Sequence, residues 1–464
     1  MTGIVLAVAG ALFGLYDRES AEVFQFVERF TWIDAGTAGF EVQYLLGVDG
    51  LSAMLVLLTA FLFVVAVLVS WSIDLRPREY FMWLLILETG VMGVFTSLDL
   101  ILFFLFWEVE LVPMYFLISI WGSGRKEYSA MKFVLYTIAG SALMLAGILT
   151  LGFSAEPRTF DMVALRGADI GTSLLPLWAI FFLLLAGFAV KLPVFPLHTW
   201  LPDAHTDAPT AVSVILAGVL LKMGGYGIIR IPVSILPDTA KDYAALLAGF
   251  AAVSIVYGAL VTLRQTDLKR LIAYSSVSHM GYVLLGIAAV GGGAAQVGLT
   301  GASLQMFTHG LITGLLFVMV GLLYERTHTR EIAEMRGMAH HVPLIATVMA
   351  VASLASLGLP AMAGFWAELL VFLGTAERFT LPAILAVFGI LLSAGYLLWM
   401  IQRVFLGPAD DRWRGLPDAT RWWEQAAMGS LVAVIVAVGI YPARIIDVIN
   451  VGVLPILTRV SGGG

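Results

Sequence analysis

The residues that invite a chemical reading are ionisable side chains set inside long apolar runs. Lys191 lies in Phe188-Ala189-Val190-Lys191-Leu192-Pro193-Val194-Phe195-Pro196, and Lys222 in Leu220-Leu221-Lys222-Met223-Gly224-Gly225. Glu88, Glu108, Glu110 and Glu368 also fall within apolar runs, and His279 and His309 sit near the midpoints of theirs. A charge at the centre of a bilayer costs about 3 kcal/mol on insertion scales, so such groups are paired, hydrated or in use. Lysine, glutamate and histidine share one capability: each exchanges a proton when burial and neighbouring charge bring its affinity toward neutrality. The chemistry on offer is proton transfer. The alternatives are static ion pairs and side chains that snorkel to the membrane surface, and for Glu88 and Glu110 the sequence favours neither. Glu108 precedes Pro113 near the middle of its run. Two positions on, Glu110 points about 200° away around a helix, toward different neighbours.

The elements that hold these groups at depth follow from composition. The chain has 464 residues, 60% hydrophobic and 12% charged, with a mean hydropathy of +0.94. A soluble domain carries about 25% charged residues, so an ordinary soluble enzyme and a disordered chain are both excluded. A net charge of −6 offers no basic surface for nucleic acid. The absence of cysteine removes thiolate ligation of iron–sulfur clusters, thiol catalysis, disulfides and cysteine-based zinc sites. About 20 apolar residues cross a bilayer. Thirteen apolar segments are legible, at 3–16, 48–72, 80–98, 99–121, 129–153, 174–201, 208–231, 244–263, 267–290, 297–324, 342–375, 381–406 and 425–447. The expected fold is all-α: a polytopic transmembrane bundle of about thirteen helices. The first segment has neither a charged leader nor a small-residue cleavage site, so it does not read as a signal peptide. Residues 20–47, 154–173, 325–341 and 407–424 are expected as long loops, with no soluble domain attached.

The basic residues orient the bundle. Alternate loops carry fifteen and nine of the 26 lysines and arginines, and Lys191 and Lys222 are the two that fall in no loop. Positive charge marks the cytoplasmic side, which places the richer set there and the C-terminus outside.

Two of the segments are broken. Pro193 and Pro196 remove backbone donors beside Lys191, and unwound backbone at membrane depth survives only against protein or a water-filled cavity. Gly358-Leu359-Pro360-Ala361-Met362-Ala363-Gly364 interrupts 342–375 just before Glu368. Paired interrupted helices in two halves point to a transporter built from repeats. Five helices span 80–231 and five span 244–406, with the break in the fourth of each. Five is odd, so the second unit starts from the opposite side and the repeat is inverted. The organisation expected is 1–79 (N-terminal helices), 80–231 and 244–406 (the two repeats) and 425–464 (C-terminal helix and tail).

Gly218 and Gly225 share a helical face beside Lys222, which allows close packing and room for water. A lone intramembrane histidine reads first as a hydrogen-bonded packing residue; two of them, His279 and His309, at similar depth beside the lysines favour a relay over packing. His198, His205, His328, His340 and His341 fall at helix ends or in loops. The His340-His341 pair lacks the further clustered ligands a metal needs. No nucleotide-binding, P-loop, metalloprotease or serine-hydrolase signature occurs.

The stretch 188–230, together with FWEVELVPMYFLISIWG (106–122), TDLKRLIAYSSVSHMGYVLLG (266–286) and LYERTHTREI (323–332), resembles the antiporter-like subunits of respiratory complex I, NADH:quinone oxidoreductase. The resemblance covers nearly all of 48–447. It implies that Glu108 and Lys191 form a carboxylate–lysine pair whose opening and closing sets the lysine's proton affinity. It further implies that Lys222 is the central lysine, His279 and His309 the connecting groups, and Glu368 the terminal group facing the exit. A glutamate at 368 matches the subunit M branch and its counterpart in the NDH complex of plastids and cyanobacteria. Sister subunits, and Mrp-type sodium/proton antiporter subunits of the same fold, tend to carry lysine there. The resemblance implies a subunit of a proton-translocating quinone reductase in the bacterial inner (plasma) membrane, packed against other complex I membrane subunits, including its sister antiporter-like subunits. It implies no cofactor or metal in this chain; NADH, FMN, iron–sulfur clusters and quinone belong to partner subunits. Family members usually have fourteen helices with both termini outside, so about one helix is expected to be lacking before Gly3. The long lateral helix of the largest sister subunit is not expected after Asp447.

Overall fold

The computed structural model describes residues 1–20, 22–34, 36, 40–170 and 174–460. In chain order the principal elements are α1 (Thr2–Leu15), β1 (Gln25–Asp34), β2 (Glu41–Val48), α2 (Gly50–Val69), α3 (Pro77–Thr96), α4 (Leu100–Val109) and α5 (Leu111–Trp121). They continue as α6 (Lys126–Ser154), α7 (Leu177–Lys191), α8 (Trp200–Asp207), α9 (Thr210–Val233), α10 (Ala244–Leu263) and α11 (Leu268–Ala288). The last are α12 (Ala295–Thr327), α13 (Pro343–Ser356), α14 (Ala363–Thr375), α15 (Thr380–Val404), α16 (Trp422–Ile440) and α17 (Ala443–Val460). Among the described residues ten spans are long and apolar enough to cross a membrane, and α1, α7, α13 and α14 are shorter apolar helices. The fold is the polytopic helical bundle that composition requires.

Burial sorts the helices. The apolar windows of α9 and α12 are entirely enclosed and that of α11 nearly so, whereas α15 keeps two-thirds of its window on the outside. The central helices are therefore apolar all round, the pattern of a helix surrounded by others. The outer ones present Leu381, Ile384, Leu391 and Leu398 outward, as a surface solvated by acyl chains should. Glycine allows the closest contact: a Cβ on Gly50 would collide with the Val448 carbonyl and one on Gly452 with Leu51 N, so α2 and α17 meet backbone to backbone.

Two expectations need correction. The loop expected at 20–47 contains an antiparallel hairpin, with Glu28 opposite Leu46 and Phe30 opposite Tyr44. Almost all of β1 is exposed, so it lacks the buried–exposed alternation from which a strand is read. The C-terminal segment is two helices rather than one and a tail. Pro442, lacking a backbone donor, follows the end of α16, and α17 then buries one face, through Val448, Ile449, Val453 and Ile456; residues 461–464 lie outside the described residues. The span expected at 99–121 runs from Leu100 to Trp121, and Glu110, between α4 and α5, keeps helical backbone angles (φ −68°, ψ −26°). Pro113 has no N–H to continue the ladder back to residue 109.

Candidate functional site

The ion pair at Lys191 differs from the pairing expected of the two carboxylates. Glu110 Oε1, not Glu108, forms the ion pair with Lys191 Nζ, and both side chains are fully buried. The helix sets the two carboxylates about 200° apart, and Glu110 is the one turned onto Lys191. Glu108 is half-buried. Its Oε1 is enclosed without a hydrogen-bond partner among the described residues, and its charge acts on Lys191. The lysine thus has two carboxylates to answer. Lys191 closes α7, and the Trp107 and Phe133 rings lie 5.5 and 5.1 Å from its ammonium. The broken backbone beyond it is held by Trp200 Nε1, which donates to Val190 O at 2.9 Å, and by Phe195 N, which donates to Ser254 Oγ at 3.0 Å. These bonds supply what the missing helical ladder leaves open.

Lys222 sits one position past the first residue after the π turn Leu216–Leu220, where Leu221 N–H reaches Leu216 O. A π turn loosens the ladder locally, and here the Ala217 carbonyl accepts from Lys222 Nζ. The same ammonium lies 2.8 Å from His309 Nδ1. When Lys222 carries its proton the amine has no lone pair, and a neutral His309 can then accept through Nδ1. Gly224 presses this helix onto the break after Lys191, since a Cβ there would lie 2.6 Å from Leu192 N and 2.7 Å from Phe188 O. No hydrogen bond joins the two lysines among the described residues.

From His309 the row continues. Its ring centroid is 5.5 Å from that of His279, and His279 Nδ1 lies 3.4 Å from Glu368 Oε1. Ser356 Oγ, at the end of α13, stands 3.4 Å from His279 Nε2. Glu368 is positioned by the second break. Gly358 has φ +75°, and a Cβ on it would stand 2.6 Å from Glu368 Oε2, so the carboxylate occupies the space a side chain at 358 would fill. Lys222, His309, His279 and Glu368 are therefore in one buried row. Lys191 with its carboxylates forms a second cluster, one helix contact away.

Some buried groups escaped the sequence reading. His205, expected at a helix end, is fully buried, stacks on Phe317 at 4.6 Å and has neither ring nitrogen hydrogen-bonded among the described residues. Lys222 and Lys269 both act on it electrostatically. Lys269 is itself buried and donates to Ala208 O, carried there by the first turn of α11. Arg230, expected in a loop, is also fully enclosed. It donates to Asp49 Oδ1 at 2.6 Å and to Tyr226 Oη at 3.1 Å, while Asp49 caps α2 through Ser52. Desolvation and the neighbouring Arg230 pull the loop residue Arg166, beside this pair, down to about 10. Glu88 stands apart from the row, with a buried, unpartnered Oε1 on an apolar groove between α1 and α3. The signal available for His205 was its place just past the proline break. For Arg230 there was none, because a cation at a helix end reads equally well as a loop residue.

The family profile described as NADH:quinone oxidoreductase/Mrp antiporter, transmembrane, matches residues 97–393, which include all of these axis residues. The chain belongs to that family. It is 43% identical over 438 residues to NADH-quinone oxidoreductase subunit M of Rhodobacter capsulatus, covering 92% of this chain and 83% of the relative. It is also 43% identical over 473 residues to an NAD(P)H-quinone oxidoreductase chain 4 of Thermosynechococcus vestitus, covering 98% and 87%. Among solved structures it superposes on a chain of respiratory complex I from Thermus thermophilus with bound NADH, with TM-score 0.86 and 28% identity over 100% of this chain and 96% of that one. A chain of the Mrp complex from Dietzia shares the fold, with TM-score 0.83 at 21% identity, over 100% and 93%.

Proposed function

We propose that this chain is the antiporter-like subunit M of a bacterial membrane NADH:quinone oxidoreductase and that it moves protons across the membrane. The energy comes from quinone reduction in partner subunits, which hold NADH, FMN, the iron–sulfur clusters and quinone; this chain carries no redox centre. Its helices pack against other membrane subunits, among them sister antiporter-like subunits. The C-terminus faces outward, and the units 80–231 and 244–406 are inverted repeats that bring their broken helices to one depth.

The observation that carries this reading is the row Lys222, His309, His279 and Glu368, with separations of 2.8 Å at one end and 3.4 Å at the other. A scaffold gains nothing from such groups in an apolar bundle. In the mechanism, a carboxylate closed onto Lys191 stabilises its ammonium, and withdrawing it releases the proton. An opposite charge at contact range is worth roughly 1.4–4 kcal/mol, enough to pass a proton to a neighbouring site. Water between the clusters carries it to Lys222, whose ammonium is already directed at His309. Neutral His309 accepts, His279 relays and Glu368 delivers it to the exit side. Glu108 and Glu110 divide the gating role at Lys191.

An Mrp-type sodium/proton antiporter is the competing reading, and the 43% identity to subunit M over most of both chains favours the quinone reductase. The test is to purify the complex containing this chain and reconstitute it in vesicles. The reading expects proton uptake driven by NADH and quinone and insensitive to sodium. Sodium-driven proton exchange without any quinone reductase activity would replace it with the antiporter.

A further inference from the structure

The row of buried groups leaves unused a cavity of about 1030 Å³ between the turn Ile332–Glu334, the end of α15 and the segment 405–412. Its walls are fixed. Ala339 N donates to Phe405 O at 3.1 Å, His340 Nε2 lies 3.2 Å from Gly407 O, and Gly337, at φ +63°, fits against Pro408 where a Cβ would collide. Arg336, Arg403 and Arg412 line the cavity beside Glu334 and Asp410. Arg412 is engaged, donating to the Glu334 carbonyl with Asp410 4.0 Å away. Arg336 and Arg403 make no ion pair or hydrogen bond among the described residues, and Arg403 lies 4.9 Å over the Trp399 ring. The cavity therefore holds two uncommitted guanidiniums.

Its position names the ligand class. The cavity adjoins the last turn of α15, whose outward face is apolar through Leu391 and Leu398, with Leu406 exposed just beyond its end and Trp399 exposed beside Arg403, as aromatic rings that anchor at a membrane surface are. Both connecting segments belong to the arginine-rich set of loops that faces the cytoplasm, where the leaflet is anionic. Planar guanidinium forks match phosphate oxygens. We propose that this cavity binds the phosphate headgroup of an anionic phospholipid, with Arg336 and Arg403 on the phosphate and the acyl chains against Leu398 and Leu406.

The test uses the intact complex, purified from membranes and delipidated in detergent. Thermal midpoints are read after adding cardiolipin or phosphatidylglycerol, phosphatidylcholine, or inorganic phosphate alone. The proposal expects the anionic lipids to raise the midpoint by several degrees while phosphatidylcholine and phosphate do not. The rise should vanish in the Arg336→Gln/Arg403→Gln double variant and persist in Arg336→Lys/Arg403→Lys, with quinone reduction unchanged in both. Should the glutamine variant fail to assemble, cardiolipin retained through size exclusion is compared between the lysine variant and the parent, and loss in the lysine variant overturns the proposal. It is equally overturned by an undiminished lipid response in the glutamine variant, by phosphate alone reproducing the effect, or by a Leu406→Cys thiol that crosslinks to a neighbouring subunit's polypeptide filling the cavity.

Discussion

Among the described residues two ion pairs are completely enclosed, and they differ in what they can do. Arg230 and Asp49 lock the end of α9 to the start of α2, and each is held again from a second side, Arg230 by Tyr226 and Asp49 by Ser52. Lys191 and Glu110 meet where α7 ends at its proline break, and a further carboxylate, Glu108, acts on the same lysine. A guanidinium keeps its proton under all accessible conditions, whereas an amine gives it up when its partner withdraws. Burial alone therefore does not mark a proton site. What marks it is a group able to deprotonate, a backbone able to rearrange and a second partner within reach.

The contrast can be broken most severely at the lysines. Lys191→Ala and Lys222→Ala should each leave the complex assembled and suppress proton translocation by an order of magnitude or more, read as dye quenching in vesicles alongside quinone reduction. The Arg230 pair should fail in the opposite way. Arg230→Ala leaves Asp49 buried and unpaired, a loss of about 3–5 kcal/mol, so native gels should show markedly less assembled complex, while any that assembles pumps normally. If Arg230→Ala assembled fully and stopped pumping, the distinction drawn between the two pairs would be wrong.

A finer prediction concerns the two carboxylates. Glu108→Gln and Glu110→Gln should each lower translocation several-fold, and the double substitution should abolish it; a double variant no worse than the weaker single would show that only one carboxylate gates. The smallest effect belongs to the second break. Gly358→Ala forces a methyl toward Glu368 Oε2 at a φ of +75°, a strain of roughly 1–2 kcal/mol, and should slow translocation modestly. Gly249→Ala, where nothing lies within 4 Å of the added carbon, is its control.

Much of this was legible in the sequence because the bilayer leaves few options. Apolar runs of membrane-spanning length, charges that interrupt them and prolines that break them are each strong signals against a uniform background. That placed Lys191, Lys222, His279, His309 and Glu368 at depth. The partner of Lys191 was not legible, because Glu108 and Glu110 face different neighbours around the helix and which of them meets Lys191 depends on tertiary packing. The hairpin 25–48 was hidden by exposure of β1, and Arg230 and Lys269 by their places near helix ends, where burial depends on which helices surround them.

The most direct measurement is the number of protons moved per electron pair by reconstituted complex carrying Lys222→Ala, with NADH-driven quinone reduction followed in the same vesicles. Proton passage through Lys222 predicts that quinone is still reduced while the proton ratio falls below that of the parent complex. An unchanged ratio at an unchanged rate would contradict it.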